Sequence, residues 1–392
     1  MKNIRIPKLL QYALGIIAIA LLIIPAKVAA GVGLAAMFNF STVDFNGEEV
    51  RDLKKVIMDE TYNSPKIEEF HNVIVGTVAK MQVVYMGQLS KLTKADAGCG
   101  TGATSKEIAL RPKTVDPVPL KVWLQMCASE LDSTLMVYAK KKGKDVDDLE
   151  GTEIASIVTD KVSQAMSKDL LRIAWFNDTT NTNVGDGSGT EEIKAGVSLT
   201  DYTMLDGFWS QIKAIVAADA TRKVAAVAGN SQATYALQDS VLATATTEAR
   251  DVYRNLLTKA DPRLQAASDK IILSTRSLAN NYADYLETQG VDASFVRLES
   301  GFDSLSRRGT KIIVCDFWDE MIRADIQNGT KYFSPHRALL TTPGNLGIYI
   351  DDTGSITIPE MWYSKDTELN NWRDKYKADV KIALDYMIQV AY

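Results

Sequence analysis

Apolar residues recur along this chain with two different periods, and the change of period marks out its elements. Across Thr152–Phe176, Ile154, Ile157, Val158, Val162, Ala165, Met166, Ile173 and Ala174 fall on one stripe of a 3.6-residue repeat, with no Gly or Pro inside. That spacing predicts a helix roughly 35–40 Å long at ~1.5 Å per residue. Before it, Ser129 can cap a helix with Leu131, Leu135 and Tyr138 on one face, stopped at Gly143. After it, Met204, Leu205, Phe208, Trp209, Ile212, Ile215 and Val216 predict another helix. Residues 236–260 predict one more, ended by Asp261-Pro262, and Ser274 or Thr275 caps a last one running to Leu286. Alternation and short apolar runs predict strands near Lys106–Leu110, Leu120–Met126, Lys270–Leu273, Lys311–Cys315, Arg337–Thr341, Leu346–Ile350 and through Lys377–Tyr392. Helices and strands stand in segregated blocks, which is an α+β pattern.

Three stretches break the periodicity. Residues 87–119 hold Gly87, Gly98, Gly100, Gly102, Pro112, Pro117 and Pro119, and around Gly98–Gly102 there is almost no side chain to pack. This predicts an extended excursion with a mobile tip. Asn177 to Thr190 is a Gly-, Asn- and Thr-rich loop. At the start, Lys2, Arg5 and Lys8 precede an apolar run, Leu9 to Ile24, followed by Pro25 and Val28-Ala29-Ala30, which is the pattern of a secretory leader.

Composition narrows the function classes. The 392 residues are 46% hydrophobic and 24% charged, ordinary values for a globular chain. The net charge is −5, and the one dense basic run, Lys140-Lys141-Lys142-Gly143-Lys144, is followed at once by Asp145, Asp147, Asp148 and Glu150. A specific reader of nucleic acid needs a basic face that this pattern does not supply. Cys99, Cys127 and Cys315 are odd in number and far apart, which speaks against a disulfide framework or a structural zinc site.

Catalytic chemistry finds little to work with. The chain has two histidines, His71 and His336, so a His-based triad or a multi-histidine metal site is nearly excluded, and a lone His leading into a strand reads as structural or exposed. Gly98–Lys106 lacks the GxxxxGK[ST] order of a phosphate loop, and Asn181-x-Asn183-x-Gly185-Asp186 breaks the order of a calcium loop. Asp316, Asp319 and Glu320 beside Trp318 are expected in a structural loop. The expectation is a non-enzyme with no catalytic residue, no metal and no cofactor.

The ordered set of segments resembles the tailed-phage major capsid proteins of the Hong Kong-97-type fold. That family runs from an N-terminal arm through an extended loop, a long spine helix and an axial domain to returning C-terminal strands. The phrases Lys270–Leu286, Gly309–Asp319 and Pro335–Leu346 are most similar to the crAss-like phage group. The resemblance implies an N-terminal arm at 1–75, which in this chain carries the apolar leader, an extended loop at 76–126, a peripheral domain with the spine helix at 127–197, an axial domain at 198–350, and C-terminal strands at 351–392 returning to the peripheral domain. It implies spine-helix core positions at Ile154, Ile157, Val158, Val162 and Met166. Contacts to a neighbouring subunit are expected at Gly98, Gly100, Gly102, Lys106 and Arg111. It implies self-assembly into hexamers and pentamers of an icosahedral head that encloses DNA without reading it. Portal, scaffolding and head-decoration proteins are the implied partners, the virion is the implied place, and host cytoplasm the place of assembly.

The apolar leader is the one departure from that pattern, and taken alone it favours an exported or membrane-anchored surface protein. On the capsid reading, mass spectrometry of subunits from particles returns either Met1 or a cut after about Ala30. A full-length chain found only in membranes, never in particles, contradicts that reading.

Overall fold

In a computed structural model of the chain, residues 70–86, 110–127, 147–182, 192–244, 247–291, 295–298, 302–351 and 360–392 are described. They fall into two compact units. The apolar leader, the Gly-rich tip and the helix expected after Ser129 lie outside the described residues.

The smaller unit contains Trp123–Val158 and Glu360–Arg373. Strand β4 (Val118–Cys127) ends in it, helix α1 (Glu153–Phe176) begins in it, and β12 (Glu360–Ser364) pairs antiparallel with the first residues of β13 (Leu369–Ile382), Met361 opposite Trp372. Trp372 is fully buried. Asn370 binds the turn that leads into α1: its amide nitrogen donates to the Asp147 carbonyl at 2.8 Å, and its oxygen accepts the Leu149 N–H at 3.0 Å. Thr152 then accepts the Ala155 N–H, covering one of the orphan donors at the start of the helix.

The larger unit is built on a seven-stranded sheet. Its members are β5 (Lys223–Ala225), β6 (Ile271–Ser274), β7 (Val296–Arg297), β8 (Asp303–Arg307), β9 (Thr310–Val314), β10 (Ala338–Thr341) and β14 (Gln389–Ala391), in the order β5-β14-β10-β6-β9-β8-β7. Strands β6 and β10 are buried along their whole length, which is why they read as continuous apolar runs and not as alternation. Helices α2 (Phe208–Ala218), α3 (Tyr235–Thr244), α4 (Glu248–Lys259), α5 (Pro262–Ala266), α6 (Arg276–Thr288) and α7 (Asp316–Ala324) belong to the same unit. Val252, Tyr253 and Leu256 of α4 and Leu278 and Tyr282 of α6 share one core with Ile272, Ile312 and Leu340 of the sheet. Nearby, β1 (Asn72–Val75) runs parallel to β11 (Leu346–Ile350), which pairs antiparallel with the last residues of β13.

Three local expectations are corrected. Residues 236–260 form two helices, α3 and α4, because a buried amide replaces the helical bonds between them: Asn281 donates to the Leu242 carbonyl and accepts the Ala249 N–H. The Asp316 region is helix α7, with Asp316 and Asp319 in its first turn, where carboxylates favour the positive end of the helix dipole. Met204 and Leu205 precede α2, which starts at Phe208.

The C-terminal end of α1 is held by aromatic rings. Trp175 lies 4.7 Å from Trp318 and 4.9 Å from Phe208 between ring centroids, and its indole N–H donates to Nε2 of His71 at 3.0 Å. Phe70, Trp209, Phe302 and Phe317 complete the cluster. Trp175→Ala is expected to lower stability by ~3–5 kcal/mol, measured by denaturant unfolding; a loss near zero removes this cluster as the anchor of α1.

Candidate functional site

Two places stand out, one by exposed apolar surface and one by clustered polar groups. The first is a two-stranded hairpin of β2 (Met81–Met86) and β3 (Leu110–Val115), in register from Met81 opposite Val115 to Met86 opposite Leu110. Its base is fastened to the larger unit. Lys113 pairs with Asp385 at 2.8 Å, the Asp116 N–H donates to Asp379 at 2.8 Å, and Val115 is fully buried. Val78, Met81 and Val84 are 40–59% exposed. Pro112 sits within β3, tolerable because each strand of a two-stranded ribbon is an edge. Among the described residues β2 and β3 form a sheet of their own, and a two-stranded hairpin alone is marginally stable in water.

The second place is a cleft of about 450 Å³ among α3, α6 and α7, lined by Asp239, Asp284, Asp316, Asp319, Arg276 and Arg323 together with Ser277 and His336. Arg276 forks onto Asp316 and also reaches Asp303 at 2.8 Å. Asp319 accepts the Arg276 N–H at 2.7 Å. Ser277 Oγ is 2.7 Å from His336 Nδ1, and His336 Nε2 is 3.2 Å from the Gln238 carbonyl. A carbonyl only accepts, so Nε2 carries the proton and Nδ1 accepts from Ser277. Asn230 exchanges two hydrogen bonds with the His336 backbone, and Gly229 lies flat on the ring, where a Cβ would come within 2.6 Å of Cδ2.

A serine facing a histidine is the start of a nucleophile–base pair, yet the surroundings oppose that chemistry. Burial pushes the His336 ring down to about 4, far below the value near neutrality that suits a general base. The ring is oriented by a neutral carbonyl where a carboxylate would stabilise an imidazolium. The two arginines of the cleft are taken up by aspartates, Arg276 by Asp316 and Asp303 and Arg323 by Asp239, so neither is offered to a developing oxyanion. The pair is a clamp joining α6 to the segment around α3. Sequence reading missed it because Ser277 and His336 are 59 residues apart and no spacing rule links them.

Of the residues singled out in the sequence, Val158, Val162 and Met166 are buried along α1, and Ile154 and Ile157 lie on the same helix. Arg111 lies in β3, opposite Tyr85. Gly98, Gly100, Gly102 and Lys106 lie outside the described residues. Asp178 and Thr180 form a tight turn after α1.

Asp319 and His336 line one cleft and titrate in opposite senses. Burial raises Asp319 from 3.8 to about 7, so the folded state holds more protons than the unfolded chain across that interval and its contribution is lost as pH rises. Burial lowers His336 from 6.5 to about 4, so the unfolded chain holds more protons there and its contribution grows as pH rises. Relative to the parent, Asp319→Asn is expected to gain stability on going from about pH 4 to about pH 7 and His336→Gln to lose it, each by ~1–3 kcal/mol. Thermal unfolding across that range checks this; parallel curves for both variants refute it.

The sequence matches no protein family model and no curated protein. Among solved structures the chain is similar to the capsid of a native GTA particle, with 11% identity over 94% of this chain and 98% of that chain and a TM-score of 0.46. It is also similar to a chain of the satellite phage P4 procapsid, with 13% identity over 84% of this chain and 94% of that chain and a TM-score of 0.45. A third is the holo-SrpI encapsulin complex from Synechococcus elongatus, with 10% identity over 91% of this chain and 95% of that chain and a TM-score of 0.44.

Proposed function

We propose that this chain is the major capsid protein of a tailed double-stranded DNA bacteriophage, a shell subunit whose partner is itself. The observation that carries the reading is the β2–β3 hairpin, fastened at its base and apolar where it is exposed. Ordering each residue opposes folding by ~1–2 kcal/mol of backbone entropy, and a ribbon without a core gains its order best from a neighbouring subunit. The 24-residue helix α1 supplies a long support of the kind that the neighbour's hairpin would cross. The element order, hairpin, long helix, α/β unit and returning strand β13, is the order that the capsid resemblance implies.

On this reading residues 76–126 are the extended loop, 127–197 the peripheral domain with its spine helix, 198–350 the axial domain and 351–392 the returning strands. Gly98, Gly100, Gly102, Lys106 and Arg111 meet the adjacent subunit. Contacts of head-to-tail type close into hexamers and pentamers, and the shell area shared by such subunits exceeds the ~1,600 Å² of a standard interface. A net charge of −5 suits a wall that encloses DNA without trapping it. Portal, scaffolding and decoration proteins would join the shell in the host cytoplasm, and kinship lies with the crAss-like group.

Shortening the loop tests this. A chain with Gln88 joined to Lys106 through a brief Gly-Ser turn is expected to keep its circular dichroism and melting transition and to sediment as monomers or isolated capsomers. Closed particles from the shortened chain would remove the loop as an assembly element; outright unfolding would place it in a core.

A further inference from the structure

We propose that Asn328 is a self-modifying residue, closing on the backbone nitrogen of Gly329 and passing, with water, to aspartate or isoaspartate. The site is the tight turn between Gln327 and Tyr332, which bridge each other antiparallel. Three features of this turn meet the demands of the reaction.

The attacked carbon is activated. Oδ1 of Asn328 accepts two backbone N–H groups, from Thr330 and from Lys331, each at 3.0 Å. When a nitrogen adds to Cγ, negative charge develops on that oxygen, and two fixed N–H donors are the arrangement that stabilises it. A polar group stands beside the attacking nitrogen: the phenol oxygen of Tyr235 neighbours the Gly329 backbone N–H. That phenol in turn donates to Oε1 of Gln327, and its ring packs 4.2 Å from Tyr332, so its position is fixed from two sides. Access is open. Gly329 is exposed, has φ +84°, and offers nothing within 4 Å of the place a Cβ would occupy. A glycine also leaves its own nitrogen unshielded by any side chain.

The atoms balance without an oxidant or a cofactor. The Gly329 nitrogen forms a bond to Cγ of Asn328 and gives up its proton. The bond from Cγ to Nδ2 breaks, and Nδ2 leaves as ammonia with that proton. The resulting five-membered imide adds one water at either carbonyl and opens. Opening at one carbon gives aspartate, and opening at the other gives isoaspartate, with an extra carbon in the main chain. Either product places a new negative charge in the turn. The isoaspartate also lengthens a turn whose Thr330 carbonyl accepts the Tyr235 N–H at the start of α3.

The test is a rate comparison on the full chain. Folded protein and the same protein in urea are held at mildly alkaline pH in heavy-oxygen water. Peptide mapping by mass spectrometry then follows incorporation of one oxygen at position 328, and electron-transfer fragmentation separates the two products. The folded turn is expected to react roughly ten-fold faster than the unfolded chain, as fits fixed donors on a developing oxyanion. Tyr235→Phe is expected to slow the folded rate and leave the rate in urea unchanged. A folded rate equal to or below the unfolded one, or a folded Tyr235→Phe chain that reacts as fast as the parent, overturns the proposal.

Discussion

The position of the long helix depends on one buried ring, Trp175. Its indole meets Trp318 of α7, Phe208 of α2 and, through its N–H, His71 just before β1. Three parts of the larger unit that are distant in sequence are thereby referred to one point near the end of α1. Aromatic contacts at 4.7–6.4 Å of the edge-on and tilted kinds are directional as well as apolar. They fix how the helix is rolled about its axis, which apolar burial alone would leave free. Arg337 adds to this. Its guanidinium stands 4.8 Å from the Trp209 ring and donates to the Phe333 and Ser334 carbonyls, so a charge is kept inside by π faces and main-chain oxygens.

Buried and half-buried amides play the corresponding part among the polar groups. Asn281 ends one helix and begins the next, Asn230 clasps the His336 backbone, and Asn370 holds the turn before α1. Each has one donor and one acceptor in use, so each satisfies two main-chain groups that would otherwise be buried without partners. Replacing such an amide with an isosteric carboxylate would leave an acceptor facing an acceptor.

The architecture was legible in the sequence where a period ran long enough. The stripe over Thr152–Phe176 and the apolar runs of β6, β9 and β10 needed no outside information. The break between α3 and α4 was not legible, because its cause, Asn281, lies in α6. The acidic first turn of α7 was readable as a helix start, and the expectation of a loop overlooked the dipole argument. The polar cleft could not be found from spacing at all. Its members come from three helices and from the segment before β10, and only folding brings them together. The hairpin was legible only in part: strands were expected at Lys106–Leu110 and Leu120–Met126, whereas the pair is β2 with β3, which runs on through Pro112, and Leu120–Met126 lies in β4.

The chain's two histidines stand in separate interiors, His71 among the aromatic rings and His336 against α3 and α6. Each ring is held in a definite tautomer, and the two tautomers differ. The donor-only indole of Trp175 leaves the His71 proton on Nδ1, while the Gln238 carbonyl keeps that of His336 on Nε2. In nitrogen NMR these two forms give distinct signals. A chain of this size labelled only in histidine would therefore report on two cores at once, each through a single resolved imidazole, without any engineered probe.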